Sequence, residues 1–137
     1  MENCIFCKII KGEIPSAKVF ENDDIYAFLD IAPLAEGHLL VISKAHYATI
    51  IEMPAELMGK LGEVLPMLAN AVCKATGTTA CNVFQNNGRP AGQLVDHLHF
   101  HIVPRTPGDG IVALGQQKPY PSGRMQIVAD SIIKQIG

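Results

Sequence analysis

The sequence predicts an α+β domain, an antiparallel sheet of about five strands with one long helix and a C-terminal helix. Three observations lead there. Short strand-like runs come in hairpin-like groups around turn-forming residues. One longer stretch, 54–76, carries apolar residues at three- and four-residue steps. At 137 residues and 48% hydrophobic, the chain matches one compact domain with one core, and two domains would each be too small. Residues 1–137 are therefore read as a single domain whose tail, 106–137, is a loop followed by a helix.

Taken in order, Cys4-Ile5-Phe6-Cys7-Lys8-Ile9-Ile10-Lys11-Gly12 predicts a short helix closed by glycine, with a turn at Pro15. Such a helix is too short to stand alone. Lys18 to Glu21 and Ile25 to Asp30 flank Asn22-Asp23-Asp24 and read as a hairpin, and Ala32-Pro33 lies just past its second strand. His38-Leu39-Leu40-Val41-Ile42-Ser43 is a nearly continuous apolar run, the mark of a central strand covered on both faces. Leu57, Leu61, Leu65, Leu68 and Val72 share one helical face; Pro54 suits the start and Gly77 the end. Pro66 predicts a kink or a break inside that helix. Cys81 to Gln85 and Leu98 to Pro104 read as two more strands joined by the turn-rich 86–92. After a Pro- and Gly-rich loop over 104–123, Met125, Val128, Ile132 and Ile136 predict a C-terminal helix.

Charge and hydropathy exclude several classes of function. Eleven Lys and Arg against thirteen Asp and Glu give a net charge of -2 without basic clusters, so no extended nucleic-acid footprint is expected. No apolar run approaches the roughly 20 residues of a membrane span. Met1-Glu2-Asn3-Cys4 lacks the features of a secretory signal, and the expectation is a cytoplasmic, reducing location. The four cysteines are then thiols or metal ligands rather than disulfides.

Three of the five histidines fall in His97-Leu98-His99-Phe100-His101. On a strand, residues two apart share a face, so the imidazoles point one way onto a polar face while Leu98, Phe100 and Ile102 point into a core. Two chemistries compete: a metal site using several imidazoles, or phosphorus chemistry using one as nucleophile. Solvated or hydrogen-bonded structural histidines are the plain alternative. Cys4-x-x-Cys7 is half of a zinc site that needs two more ligands from a distant segment. A redox pair is the other reading of that motif, which normally follows a strand and opens a long helix. Cys73 lies near the apolar helical face and Cys81 starts a strand, so both read as core.

His97-Leu98-His99-Phe100-His101-Ile102-Val103 resembles the alternating motif of the histidine triad (HIT) superfamily of nucleotide hydrolases and transferases. The resemblance continues, in order, through Ile5-Phe6-Cys7-Lys8-Ile9-Ile10, Ile14-Pro15, Ala27-Phe28-Leu29-Asp30-Ile31 with Pro33, Gly37-His38-Leu39-Leu40-Val41-Ile42 and Ala91-Gly92-Gln93. It implies a HIT-like fold that forms a homodimer, the long helix and an edge strand pairing across a two-fold axis.

Residue by residue, the resemblance implies that His99 attacks the α-phosphorus of a nucleotide and that water hydrolyses the nucleotidyl-histidine. His101 would contact the phosphate or leaving group and share in proton transfer, with His38 as a supporting histidine. The loop from Gly88 to Gly92 would approach the phosphate, with Asn86 and Gln93 adding neutral donors. Asp30 would accept the ribose hydroxyls, and Phe6, Ile9, Phe28 and Ile31 would form the slot for a base. Members with this Cys-x-x-Cys imply one structural, four-coordinate zinc per chain on Cys4, Cys7, His46 and His97. Leu94 stands where the eukaryotic Hint branch has a serine and cannot donate a hydrogen bond.

The implied activity is hydrolysis of a nucleoside phosphoramidate or related adenylate to a nucleoside monophosphate. Dinucleoside polyphosphate hydrolysis is the alternative, because Gly92-Gln93 and Ile102-Val103-Pro104-Arg105 also resemble the Fhit-like branch. A non-catalytic nucleotide-binding scaffold is the third reading.

Overall fold

A computed structural model describes residues 3–111 and 117–136. Its elements are α1 (Ile5–Ile10), β1 (Lys18–Glu21), β2 (Ile25–Leu29), β3 (Leu39–Ser43), α2 (Ala55–Thr76), β4 (Ala80–Gln85), a 3-10 turn at Arg89–Ala91, β5 (His99–Arg105) and α3 (Arg124–Gln135). The five strands form one antiparallel sheet in the order β1-β2-β3-β5-β4. This is the α+β architecture that the sequence predicts, with β3 in the central place.

The first hairpin is set locally. Asn22 Oδ1 accepts the backbone N–H groups of Asp24 and Ile25 at 2.9 and 2.8 Å, an Asx turn that reverses the chain between β1 and β2. Pairing then sorts the side chains by face. Ile25, Ala27 and Leu29 of β2, Leu39 and Val41 of β3, and Ile102 of β5 join the core under α2 and α3, packed on Leu61, Leu68, Val72, Val128 and Ile132. Tyr26 and Phe28 of β2 with Leu40 and Ile42 of β3 form a second cluster on the other face, closed by Phe6 and Ile9 of α1. The continuous apolar run of β3 follows from burial on both sides.

Register puts the histidines on the second face, since Ile42 pairs with His99 and Leu40 with His101. The three imidazoles share one face, as expected, and that face is covered. His97, His99 and His101 are 0%, 7% and 7% exposed, because α1 lies over that side of the sheet. Phe100 and Ile102 face the opposite core as the alternation predicts.

Of the kink or break expected at Pro66, the break does not occur: α2 runs from Ala55 to Thr76. Proline removes the hydrogen bond to the carbonyl of Gly62, and both residues are exposed, so that carbonyl can turn to water. Leu61, Val64, Leu68 and Val72 stay buried on either side of it and hold the helix to the sheet. Gly77, at φ 69°, closes the helix as expected, with Thr78 N–H donating to Cys73 O at 2.9 Å. In the tail, Val128 and Ile132 of α3 are buried and Met125 and Ile136 pack beside them. The loop expected over 104–123 continues β5 to Arg105 and otherwise holds turns; residues 112–116 lie outside the described residues. No helix is long and apolar enough to cross a membrane among the described residues.

Candidate functional site

Cys4 caps α1, its sulfur accepting the Cys7 N–H at 3.4 Å, so both thiols lie at the helix start. His97 lies just before β5 and His46 in the loop after β3. Cys4 Sγ is 3.4 Å from His97 Nδ1, and Cys7 Sγ is 3.3 Å from His46 Nδ1 and 3.6 Å from His97 Nδ1. One donor atom from each residue lies within 4.8 Å of all the others. Two ligands at zinc's usual bond lengths of about 2.3 Å to sulfur and about 2.05 Å to nitrogen, at a tetrahedral angle, stand about 3.6 Å apart. The observed separations meet that value.

The hydrogen-bonding of His97 agrees. Its Nε2–H donates to Ser43 O at 2.7 Å, which leaves Nδ1, the atom facing the thiols, with its lone pair. Burial pushes His97 down to about 4 and the Cys7 thiol up, with neighbouring Cys4 adding to the latter, so no positive charge of the protein's own is favoured here. The four residues could hold a zinc ion with no coordination position left for substrate, tying α1 to the sheet.

A second chain of contacts fixes the other imidazoles. Leu34 N–H donates to His38 Nδ1 at 3.0 Å, so the neutral His38 ring carries its hydrogen on Nε2. That hydrogen is directed at His101 Nδ1, 2.9 Å away, which places the hydrogen of His101 on Nε2. His99 has the opposite tautomer, with Nδ1–H donating to the carbonyl of His97 at 2.7 Å and, among the described residues, no hydrogen-bond partner at Nε2. The His99 and His101 rings are 4.9 Å apart between centroids. One therefore offers an unprotonated nitrogen and the other an N–H. Burial is the main cause that holds all three neutral, His101 at about 3 and His38 and His99 below their ordinary value.

Around these rings is a cleft of about 310 Å³. Phe6, Ile9, Phe28 and Ile31 form its apolar side, and Asp30, Gly92, His99 and His101 also line it. Asp30 Oδ1 accepts Ala32 N–H at 2.9 Å, and its other oxygen is 3.9 Å from His38 Nε2. His38 itself is fully buried behind His101 rather than on the cleft wall. Asn86 is not among the lining residues; its carbonyl accepts Gln85 Nε2–H at 3.0 Å.

Gln93 is 1% exposed and its amide holds the loop together, Nε2 donating to Ala48 O and Val95 O at 2.6 and 2.9 Å while Oε1 accepts Gly88 N–H at 2.7 Å. The N–H groups of Ala91, Gly92 and Gln93 turn back on Gly88 and Arg89. Gln93 is thus a brace, and the loop spends these donors on itself.

Several residues of the site escape sequence reasoning. Phe84 of β4 stacks on His101 with centroids 4.4 Å apart and planes at 9°, because register sets the two opposite each other. Ile5, Ile14, Leu94, Val95 and Gln117 also line the cleft. Alternation along β4 could have paired an aromatic with the triad, but only with the register known; nothing local marks Gln117.

A five-stranded antiparallel sheet with this histidine cluster defines the class of fold, and the HIT domain profile matches residues 11–108. The chain belongs to the histidine triad (HIT) family. It is 42% identical over 138 residues to the protein Hit of Bacillus subtilis, covering 98% of this chain and 95% of the relative. It is 52% identical over 103 residues to an adenosine 5'-monophosphoramidase of Schizosaccharomyces pombe, covering 75% and 74%. An adenylylsulfatase of Arabidopsis thaliana is 44% identical over 107 residues, 78% of this chain; the chain spans about half, 54%, of that relative. Among solved structures, a Hit-like protein of Bartonella henselae superposes with a TM-score of 0.89 at 36% identity, covering 99% and 98% of the two chains. A zinc-bound histidine triad protein of Mycobacterium smegmatis gives 0.87 at 28%, covering 98% and 93%. Relatives named for these hydrolyses support a nucleotide hydrolase role for this family member.

Proposed function

We propose that this protein hydrolyses a nucleoside phosphoramidate or related adenylate at the α-phosphorus, through a nucleotidyl intermediate on His99, to release a nucleoside monophosphate. The observation that carries the reading is the pair of opposite tautomers, His99 with an unprotonated Nε2 and His101 with an Nε2–H, at the wall of one cleft.

His99 Nε2 gives its lone pair to phosphorus while the leaving nitrogen departs with the P–N bonding pair and takes a proton from solvent. The hydrogen stays on His99 Nδ1, donated to the His97 carbonyl, and orients the ring. His101 Nε2–H donates to a phosphoryl oxygen as negative charge builds there, a role that fits a group held neutral by burial and by the Leu34–His38–His101 chain. Water then attacks the same phosphorus and loses a proton to solvent as the Nε2–P bond breaks and its electrons return to His99 Nε2. Phe6, Ile9, Phe28 and Ile31 receive the base and Asp30 the ribose hydroxyls. Zinc on Cys4, Cys7, His46 and His97 would supply a rigid cross-link rather than an electrophile, and the position of His97 would fix the carbonyl that orients His99.

A homodimer belongs to the same proposal, since β4 is an edge strand whose Val83 is 45% exposed; light scattering would give the mass. The activity is tested by a time course on adenosine phosphoramidate beside a diadenosine polyphosphate, with samples quenched in alkaline denaturant, where a histidine P–N bond survives, and weighed by intact mass. An adduct of one nucleotidyl group, formed by the parent and not by His99→Ala, is expected. Nucleotide binding with no adduct and no turnover would leave the scaffold reading in place.

A further inference from the structure

The loop that joins β2 to β3, residues 30–38, contributes twice to the site: Asp30, Ile31 and Ala32 line the cleft, and His38 backs His101. The loop is tied at its end, with Asp30 N–H donating to His38 O and His38 N–H donating to Ala35 O, both at 3.0 Å. Leu34 N–H, from the same loop, is the group that sets the His38 tautomer. Whatever fixes the turn over 33–37 therefore fixes which nitrogen of His101 carries the hydrogen.

The tail that follows β5 holds this turn. Lys118 N–H donates to Pro33 O at 3.2 Å, Tyr120 Oη accepts Gly37 N–H at 2.9 Å, and Arg124 Nε and Nη2 donate to the Glu36 carboxylate at 2.9 and 3.0 Å. These contacts span 83 to 88 residues of chain and converge on one turn. The Arg124–Glu36 pair is about half exposed, and pairs of that kind hold little. Tyr120 is half-buried and grips the backbone itself. On its other side Gly37 has no room to move, since a Cβ there would stand 2.7 Å from Thr76 Cγ2 and 3.4 Å from Pro104 Cγ. The peptide before His38 is thus clamped between the α2 end and the Tyr120 hydroxyl.

Resting on the reading under Proposed function, we propose that Tyr120 is a positioning residue for His101: by holding Gly37 N–H, its hydroxyl keeps Leu34 N–H on His38 Nδ1 and so keeps the His101 hydrogen on Nε2. A neutral imidazole carries one N–H, and a hydrogen bond between two such rings can run in either direction. If Leu34 N–H turns off His38 Nδ1, the His38 hydrogen can reside there instead. His38 Nε2 then accepts from His101 Nδ1–H, and His101 Nε2 is left as a lone pair. The pair gains and loses no proton, so the swap changes tautomer and not charge. In the swapped form the donor to the phosphoryl oxygen is gone, and a lone pair faces the developing negative charge. His99 keeps its own tautomer, which the His97 carbonyl sets independently of this turn.

The test reads imidazole nitrogen-15 shifts, which distinguish N–H from lone pair at each ring nitrogen, beside kcat and KM for adenosine 5'-phosphoramidate on the zinc-loaded protein. The parent is compared with Tyr120→Phe and with Ile132→Val, which loosens α3 at a buried core position away from the turn. The parent should show His101 as Nε2–H. Tyr120→Phe is expected to swap about two-thirds of the molecules and, since turnover follows the fraction holding the competent pair, to lower kcat about threefold with KM within about twofold. Ile132→Val should melt earlier and keep the parent's tautomers and kcat. Parent-like His101 shifts in Tyr120→Phe, an unchanged kcat beside swapped shifts, or the same swap in Ile132→Val would each overturn the proposal. A parent that forms no nucleotidyl adduct overturns the activity reading, while the nitrogen-15 shifts, which need no turnover, still decide whether Tyr120 sets the tautomer.

Discussion

His97 and His99 are joined by one hydrogen bond, His99 Nδ1–H to the His97 carbonyl at 2.7 Å, and the two imidazoles serve different ends. The first faces the Cys4 and Cys7 thiols, and the second turns its Nε2 away from that bond. The group that could anchor α1 thus also orients the proposed nucleophile.

His99→Ala should reduce turnover of adenosine phosphoramidate at least about a thousandfold, since the attacking atom is gone. It should retain about one zinc per chain, because no ligand of the four-residue group is touched. Stopped assays and metal analysis on the same sample check both; turnover at the parent's rate would remove His99 from the role.

Cys7→Ala should lose the metal and about 2–4 kcal/mol of stability, as α1 would keep little beyond Phe6 and Ile9 to hold it on the sheet. Cys73→Ala is the control and should keep the metal. Zinc content with denaturant midpoints distinguishes them, and equal midpoints would mean that the metal group carries no folding energy.

Acid should destabilise the protein through its buried imidazoles. Burial holds His101 at about 3 against an ordinary 6.5, and lowers His38 as well. Between those values the unfolded chain binds more protons than the folded one, so this contribution is complete above pH 6.5 and is lost as pH falls toward about 3. The expected loss from His101 alone is about 2 kcal/mol between pH 6.5 and 4.5. Urea midpoints across this range should fall more steeply for the parent than for His101→Gln; parallel curves would contradict the assignment.

Gly37→Ala should cost about 2 kcal/mol or more, combining backbone strain with a clash. Gly37 sits at φ 93°, and a Cβ there would stand 2.7 Å from Thr76 Cγ2. Since Gly37 precedes His38, activity should fall with stability. Gly59→Ala, which meets nothing within 4 Å, should be neutral or stabilising, and thermal melts of the pair would expose an error in the close approach at Gly37.

Much of this molecule was legible from local chemistry. The alternation of His97 to His101, the i and i+3 cysteines and the three- and four-residue steps of α2 are periodic signals, and each element they predict is present. Pro66 does not break α2, because the cost of an interior proline depends on which side of the helix faces water, and its side is exposed. The place of Gln93 was not legible: only the packed structure shows its amide bonded to Ala48, Val95 and Gly88.

The sequence by itself determined the strands and helices, the face on which each histidine lies, and the pattern by which the family is recognised, because these follow from periods of two and 3.6 residues along the chain. Tertiary structure alone decided that the triad is buried under α1, that Phe84 stacks on His101, and that His46 reaches Cys7 across 39 residues. It also decided the tautomers, through Leu34 N–H and the His97 carbonyl. Strand register, burial and hydrogen-bond direction arise only where distant segments meet, and the chemistry of an imidazole depends on all three.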